Sequence, residues 1–166
     1  MTIPHGLLMK PGQGTSLSIV GDVLTFKAVG EDTAGQYTLV EVRVAPQIGP
    51  PPHIHHREDE AFYIQDGELE FQLDDQIVIS TPGTFLYSPK GHLHSFRNNT
   101  TQGAKMLVWY MPAGIERFFA EIGVEVDSPD APSIPATPAA IERVLAAAPK
   151  YGIEFKTEPH QESFAT

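Results

Sequence analysis

Three of the chain's seven histidines stand in the stretch PPPHIHHREDEAFYIQDG, residues 50–67, beside a tight run of acids. Imidazoles and carboxylates crowded in this way are costly to bury unless water, an ion-pair network or a metal ion pairs with them. His53 and His55 are two residues apart. On a β-strand both would leave the same face, roughly 7 Å apart along the chain, and their ring nitrogens could converge on one ion. Glu60 opens the next extended run after the turn-like HRED. From an antiparallel neighbour it can swing opposite the two histidines and supply an oxygen. Two imidazoles and one carboxylate on one side of a metal form the open arrangement of O₂-activating non-haem centres. A second stretch, GTFLYSPKGHLHSFRN at residues 83–98, offers one more ligand. Pro89 and Gly91 make a turn there, and His94 follows at the start of a strand. Together these give three histidines and one glutamate, with room left for water or substrate.

The neighbours of these residues are assigned by parity. His56 alternates to the other face of its strand, in a solvent or supporting role. His92 shares the parity of His94 but lies in the turn, so a surface or supporting role is expected for it too. Glu58 and Asp59 belong to the charge run REDE and are expected to be solvated. Phe62 and Ile64 share the parity of Glu60, and Phe96 that of His94. All three should point inward, as core or as the lining of an apolar pocket suited to an aromatic substrate.

The elements that must position these groups are short. VLTFKAVG, QYTLVEVRV, EAFYIQ, ELEFQL, QIVIS, TFLYS, LHSFR and AKMLVWY are rich in β-branched and aromatic residues. QDGE, LDDQ and STPG carry turn chemistry between them. Many short strands at close spacing predict an antiparallel barrel or sandwich. After Pro112 the pattern changes. Ile115, Phe118, Phe119 and Ile122 form a helical stripe ended by Gly123. A Pro-rich connector, SPDAPSIPATP, follows, and Thr137 can cap a second helix with Pro138 at its first position and Ile141, Val144 and Leu145 as its stripe. The tail from Glu158 is expected to be loose. The expected organisation is a barrel with N-terminal strands over residues 1–111 and a helical C-terminal extension over 112–166, packed on the same domain.

The totals exclude several partners. The chain has 166 residues, 41% of them hydrophobic, which suits one globular unit. A net charge of −10 without any basic run argues against nucleic acid and anionic membrane surfaces. With no cysteine, any metal must sit among histidines and carboxylates. The N-terminal residues lack the basic lead and long apolar core of a signal peptide, and no apolar stretch approaches membrane-spanning length, so a cytoplasmic location is expected. Asn98 and Asn99 in NNTT read as a polar turn.

These spacings resemble the two cupin motifs. The first runs His53, one residue, His55, four residues, Glu60, six residues, Gly67. The second runs Gly83, five residues, Pro89, one, Gly91, two, His94, three, Asn98. One departure lies upstream: only three residues separate Gly49 from His53, where the family places its glycine further back. The resemblance implies an all-β double-stranded β-helix, a jelly-roll barrel, with the C-terminal α-helical extension added. It implies that His53, His55, Glu60 and His94 bind one divalent first-row metal, whether Fe, Mn, Ni, Co, Cu or Zn, and that the protein is a homodimer. The tail GIERFFAEIG with its Pro-rich linker and second helix resembles that of bacterial single-cupin quercetin dioxygenases. That likeness implies a metal-dependent dioxygenase (an oxidoreductase) acting with O₂ on a flavonol or similar polyhydroxylated aromatic, Glu60 taking the proton of the enolic hydroxyl. Two alternatives remain beside it. One is a cupin isomerase or decarboxylase of a small sugar or organic acid, which would need Lys or Arg to hold its anionic substrate. The other is a non-catalytic metal-bearing binding or sensor module.

Overall fold

The computed structural model describes residues 5–156, so the expectation for the tail from Glu158 lies outside the described residues. Ten strands precede the first helix: β1 Ser16–Ile19, β2 Asp22–Ala28, β3 Thr38–Val44, β4 His53–His55, β5 Asp59–Asp66, β6 Leu69–Leu73, β7 Gln76–Ser80, β8 Phe85–Ser88, β9 Leu93–Arg97 and β10 Ala104–Met111. Helix α1, Glu116–Ile122, strand β11, Val124–Val126, helix α2, Pro138–Ala147, a 3-10 turn, Ala148–Tyr151, and strand β12, Ile153–Phe155, complete the order. The strands form two antiparallel sheets. Seven are ordered β11-β1-β2-β3-β10-β5-β8, and five are ordered β12-β4-β9-β6-β7. The result is the all-β double-sheet architecture of a cupin double-stranded β-helix, with short C-terminal helices.

The period-2 pattern explains the core. Along β3 and β10 buried positions alternate with half-buried ones without a break. Val40, Val44, Phe62, Ile64, Leu69, Phe71 and Met106 are fully enclosed between the sheets. Phe62 meets Phe71 edge-on, with ring centroids 4.9 Å apart. Burying side chains of this size contributes about 1.5–3 kcal/mol each, which suffices to hold one end of the barrel closed. Asn98, on the loop leaving β9, is fully buried. Its amide donates to the carbonyls of Val44 and Gln102, and its oxygen accepts from Thr100, so the polar turn expected at NNTT is satisfied inside the fold.

The C-terminal segment is less purely helical than the sequence suggests. Thr137 caps α2 by accepting from the Ala140 N–H at 3.2 Å. Gly123 closes α1, and Phe118, Phe119 and Ile122 are buried as the stripe requires. Strands β11 and β12, however, add themselves to both sheets: β11 pairs with β1, and β12 pairs with β4. Neither three-residue strand has enough pattern of its own to announce itself, because each is stabilised by the edge it covers. The Glu116 carboxylate fixes α1 over the β2–β3 connection. It accepts from the Gly30 N–H at 3.1 Å, the Gly114 N–H at 2.7 Å and the Thr38 hydroxyl at 2.5 Å. The connector between the helices is held against the large sheet by the Arg43 guanidinium, which donates to the Ala131 carbonyl, and by Ser18 Oγ, which accepts from the Ile134 N–H at 2.7 Å. No helix among the described residues is long and apolar enough to cross a membrane.

Candidate metal centre

Three strands of two sheets bring His53, His55, Glu60 and His94 together. His53 and His55 leave β4 on its inner face, and His94 stands directly across the ladder from His53 on β9. Glu60 reaches the same point from β5 in the opposite sheet, where its backbone neighbours are Tyr110 and Ser88. All four side chains are buried, and one ligand atom from each lies within 4.8 Å of the others. The imidazole centroids are 4.4 Å apart for His53 and His94, 5.1 Å for His53 and His55, and 5.5 Å for His55 and His94.

The outer contacts decide which ring nitrogens face the centre. His53 Nδ1 donates to the Pro51 carbonyl at 2.9 Å, which leaves the lone pair on Nε2. His94 Nδ1 lies 3.1 Å from Ser88 Oγ and 3.4 Å from the His92 carbonyl, so its Nε2 also points inward. His55 turns Nδ1 toward Glu58 Oε2 at 3.5 Å and Nε2 toward Glu60 Oε2, also at 3.5 Å. Partners of this kind set the tautomer and ring angle of a metal-binding histidine.

Electrostatics keep the cluster poised. Burial, reinforced by His94 and His55, lowers the His53 imidazole to about 3, so at neutral pH it is an uncharged donor. Burial pushes the Glu60 carboxyl up, but the charges of His94 and His55 outweigh it and bring it down to about 2. Burial alone would lower His94; the Glu60 carboxylate reverses this and raises it. His94 Nε2 and Glu60 Oε2 stand 2.7 Å apart, yet both are buried without a properly directed hydrogen bond. Polar atoms orphaned in this way, aimed at a common point, are what a cation would satisfy. Donors about 2.0–2.1 Å from one ion are separated from each other by roughly 3–4 Å, compatible with the spacing found. Three nitrogens and one oxygen suit a divalent first-row ion, and they do not discriminate among such ions. The residues present therefore fit one divalent metal.

Above the cluster lies a cavity of about 380 Å³, roofed by α1, α2 and β12. His53, His55, Glu60 and Tyr110 form its polar floor, and Phe96, Phe118, Phe119 and Phe155 stand in walls that are apolar except at Asp22. Of the three side chains expected to line a pocket, only Phe96 does so. Phe62 and Ile64 are fully buried and lie outside the lining. Parity put them inside the barrel, but parity says nothing of depth along its axis, and they belong to the packed end.

His56 is exposed and pairs with Glu154 at 2.8 Å, pinning β12 to β4. His92 is exposed, bonded through Nδ1 to Asp74 Oδ2 at 2.8 Å, while its carbonyl supports His94. Glu58 departs from expectation. It is buried and not solvated, because the turn after β4 brings its Oε2 within 3.5 Å of His55 Nδ1. Tyr110 was not singled out by its sequence context. Burial, then the adjacent Glu60 carboxylate, hold its phenol well above the usual range, so it stays a hydrogen-bond donor facing the cavity. Only its pairing opposite Glu60 on β10, a non-local register, reveals it.

Residues 40–110 match the Cupin domain family. Over 125 residues the chain is 29% identical to quercetin 2,3-dioxygenase of Bacillus subtilis (strain 168), an alignment spanning 73% of this chain and 36% of that protein's length. A protein described as a predicted oxalate decarboxylase from Thermotoga maritima superposes with a TM-score of 0.57 at 18% identity, covering 65% of this chain and 99% of its own. An RmlC-like cupin from Shewanella frigidimarina superposes at 0.55 and 18% identity, covering 62% and 88%. At these identities the two structural likenesses concern the fold. The paired antiparallel sheets and the matched segment thus mark residues 40–110 as cupin-like, and over its aligned part the chain resembles quercetin 2,3-dioxygenase.

Proposed function

We propose that the protein is a metal-dependent dioxygenase acting with O₂ on a flavonol or a similar polyhydroxylated aromatic, with His53, His55, Glu60 and His94 holding the ion. One observation carries the reading: the four-residue cluster opens onto a cavity with largely aromatic, apolar walls in which, among the described residues, no lining side chain is Lys or Arg. A sugar phosphate or a small carboxylic acid needs such a cation to offset its charge, and this chamber offers none. Ring stacking and dispersion suit a flat aromatic instead. The likeness to quercetin 2,3-dioxygenase supports the same substrate class.

A bound divalent ion would supply Lewis acidity toward a substrate hydroxyl and redox access to O₂. The remaining work belongs to side chains. Glu60, a carboxylate at neutral pH, accepts the proton of the substrate's enolic hydroxyl. Tyr110, held protonated opposite Glu60 on β10, keeps a hydroxyl donor beside that carboxylate. Phe118 and Phe119 of α1 close the chamber against water, which protects a reactive ring from side reactions. The segment after Met111 accordingly serves as a roof on the same unit as the barrel.

The test is to incubate the metal-loaded protein with quercetin under O₂. Loss of the flavonol absorbance with stoichiometric O₂ uptake is expected. Saturable binding without consumption would make the protein a binding module, and the dioxygenase reading would fall.

A further inference from the structure

The cavity has one polar side chain far from its floor. Asp22 opens β2 immediately after the β1–β2 hairpin turn and is among the residues lining the chamber. The strand registers separate it from the centre. Glu60 lies in the row Glu60–Tyr110–Thr38, at the start of β3, whereas Asp22 adjoins Val23, which faces Arg43 at the other end of β3. Asp22 is buried, and its single hydrogen bond among the described residues is from the Ala45 N–H to Oδ1, at 3.2 Å. Burial pushes its carboxyl up to about 7, with Ala45 opposing, so the group resists ionisation.

A purely structural role does not account for this residue. An asparagine would hold the Ala45 N–H equally well without the cost of a buried acid. The hairpin itself carries strain at this point: Val20, a β-branched residue, adopts φ 48°, next to Gly21 at φ 97°. Backbone held in that region needs support from its surroundings, and such outliers cluster at ligand sites. The turn presents Asp22 to the chamber, with Ile19, Leu24 and Ile48 around it.

We propose that Asp22 is the second polar anchor of the cavity and recognises a ring hydroxyl of the substrate at the end remote from the His53–His55–Glu60–His94 centre. The inference rests on the reading of the site as one for polyhydroxylated aromatics and specifies it further. The ligand must be long enough to reach both anchors, apolar along its middle and polar at each end. The carboxyl accepts from a hydroxyl in either form and, when protonated, can also donate to one, so a molecule lacking that hydroxyl leaves a buried polar group unpaired.

The experiment is equilibrium binding to the metal-loaded full chain without O₂, by fluorescence titration. Two probes are compared: quercetin, and unsubstituted flavonol, which keeps the enolic hydroxyl and carries no other. Wild type is expected to bind quercetin about tenfold more tightly. In Asp22→Leu the ratio is expected to fall to about one through loss of quercetin affinity, with unsubstituted flavonol bound at least as well as before. Equal binding of the two probes by wild type, a comparison that needs no variant, overturns this inference alone. So does an unchanged ratio in Asp22→Leu. Failure of both probes to bind overturns the reading of the site and this inference with it.

Discussion

Glu58 Oε2 lies 3.5 Å from His55 Nδ1, on the side of the ring turned away from the centre, and both side chains are buried. The carboxylate therefore sets the direction in which His55 offers Nε2. Removing it frees the ring to rotate. Glu58→Gln is expected to weaken metal binding about 10–100-fold, measured by competition with a chromophoric chelator. Wild-type affinity in this variant would reduce Glu58 to a filler of space.

Glu60 has two duties, as an oxygen donor and as a base. Glu60→Gln leaves three imidazoles in place, so most of the metal should be retained while turnover falls at least 100-fold. Elemental analysis beside a flavonol-consumption assay separates the two. Full activity would remove Glu60 from the proton path.

Gly49 stands where the chain passes closest to β9. A Cβ there would come within 2.1 Å of the Phe96 carbonyl oxygen and 2.7 Å of Arg97 Cα, both backbone atoms that cannot step aside cheaply. Gly49→Ala should cost about 1–3 kcal/mol, read as a lower midpoint in chemical denaturation. Because β9 carries His94, metal stoichiometry should fall as well. An alanine variant as stable as wild type would mean that the two strands separate without penalty.

Asp22 makes stability depend on pH. Its carboxyl is raised from 3.8 to about 7 in the fold, so between those values the native state binds a proton that the unfolded chain has lost. Its contribution is full below pH 3.8, is lost as pH rises through 7, and is flat above. Asp22→Asn, which cannot ionise, should match wild type at low pH and exceed it by roughly 4 kcal/mol above pH 8. Denaturant titrations of both proteins at the two pH values would measure this. A difference that does not vary with pH would show Asp22 to be charged throughout or ionised without cost.

Local pattern carried much of this architecture. The eight extended runs became strands because period-2 alternation needs only neighbours. Both helices followed from their stripes, and α2 from the Thr137 cap. The approach of His53, His55 and Glu60 was legible because their spacings lie within β4 and across one turn, whereas His94, four strands beyond β5, was reached through the second cupin motif. What escaped depends on distant segments. The pairing of β11 and β12, the burial of Glu58, and the place of Tyr110 opposite Glu60 arise from registers that no local window contains. Phe62 and Ile64 taught the complementary lesson, since their inward parity was right and their distance from the chamber was beyond its reach.

β12 faces β4 residue for residue, Ile153 opposite His55 and Phe155 opposite His53. During synthesis these two histidines leave the ribosome about a hundred residues before the strand that zips along them. Until Phe155 has emerged, one border of β4 is open and His53 lacks the aromatic ring that packs against it. Assembly of the inner cluster is thus a late event in the life of the chain, and a polypeptide cut short of residue 153 should make a barrel whose histidines never settle.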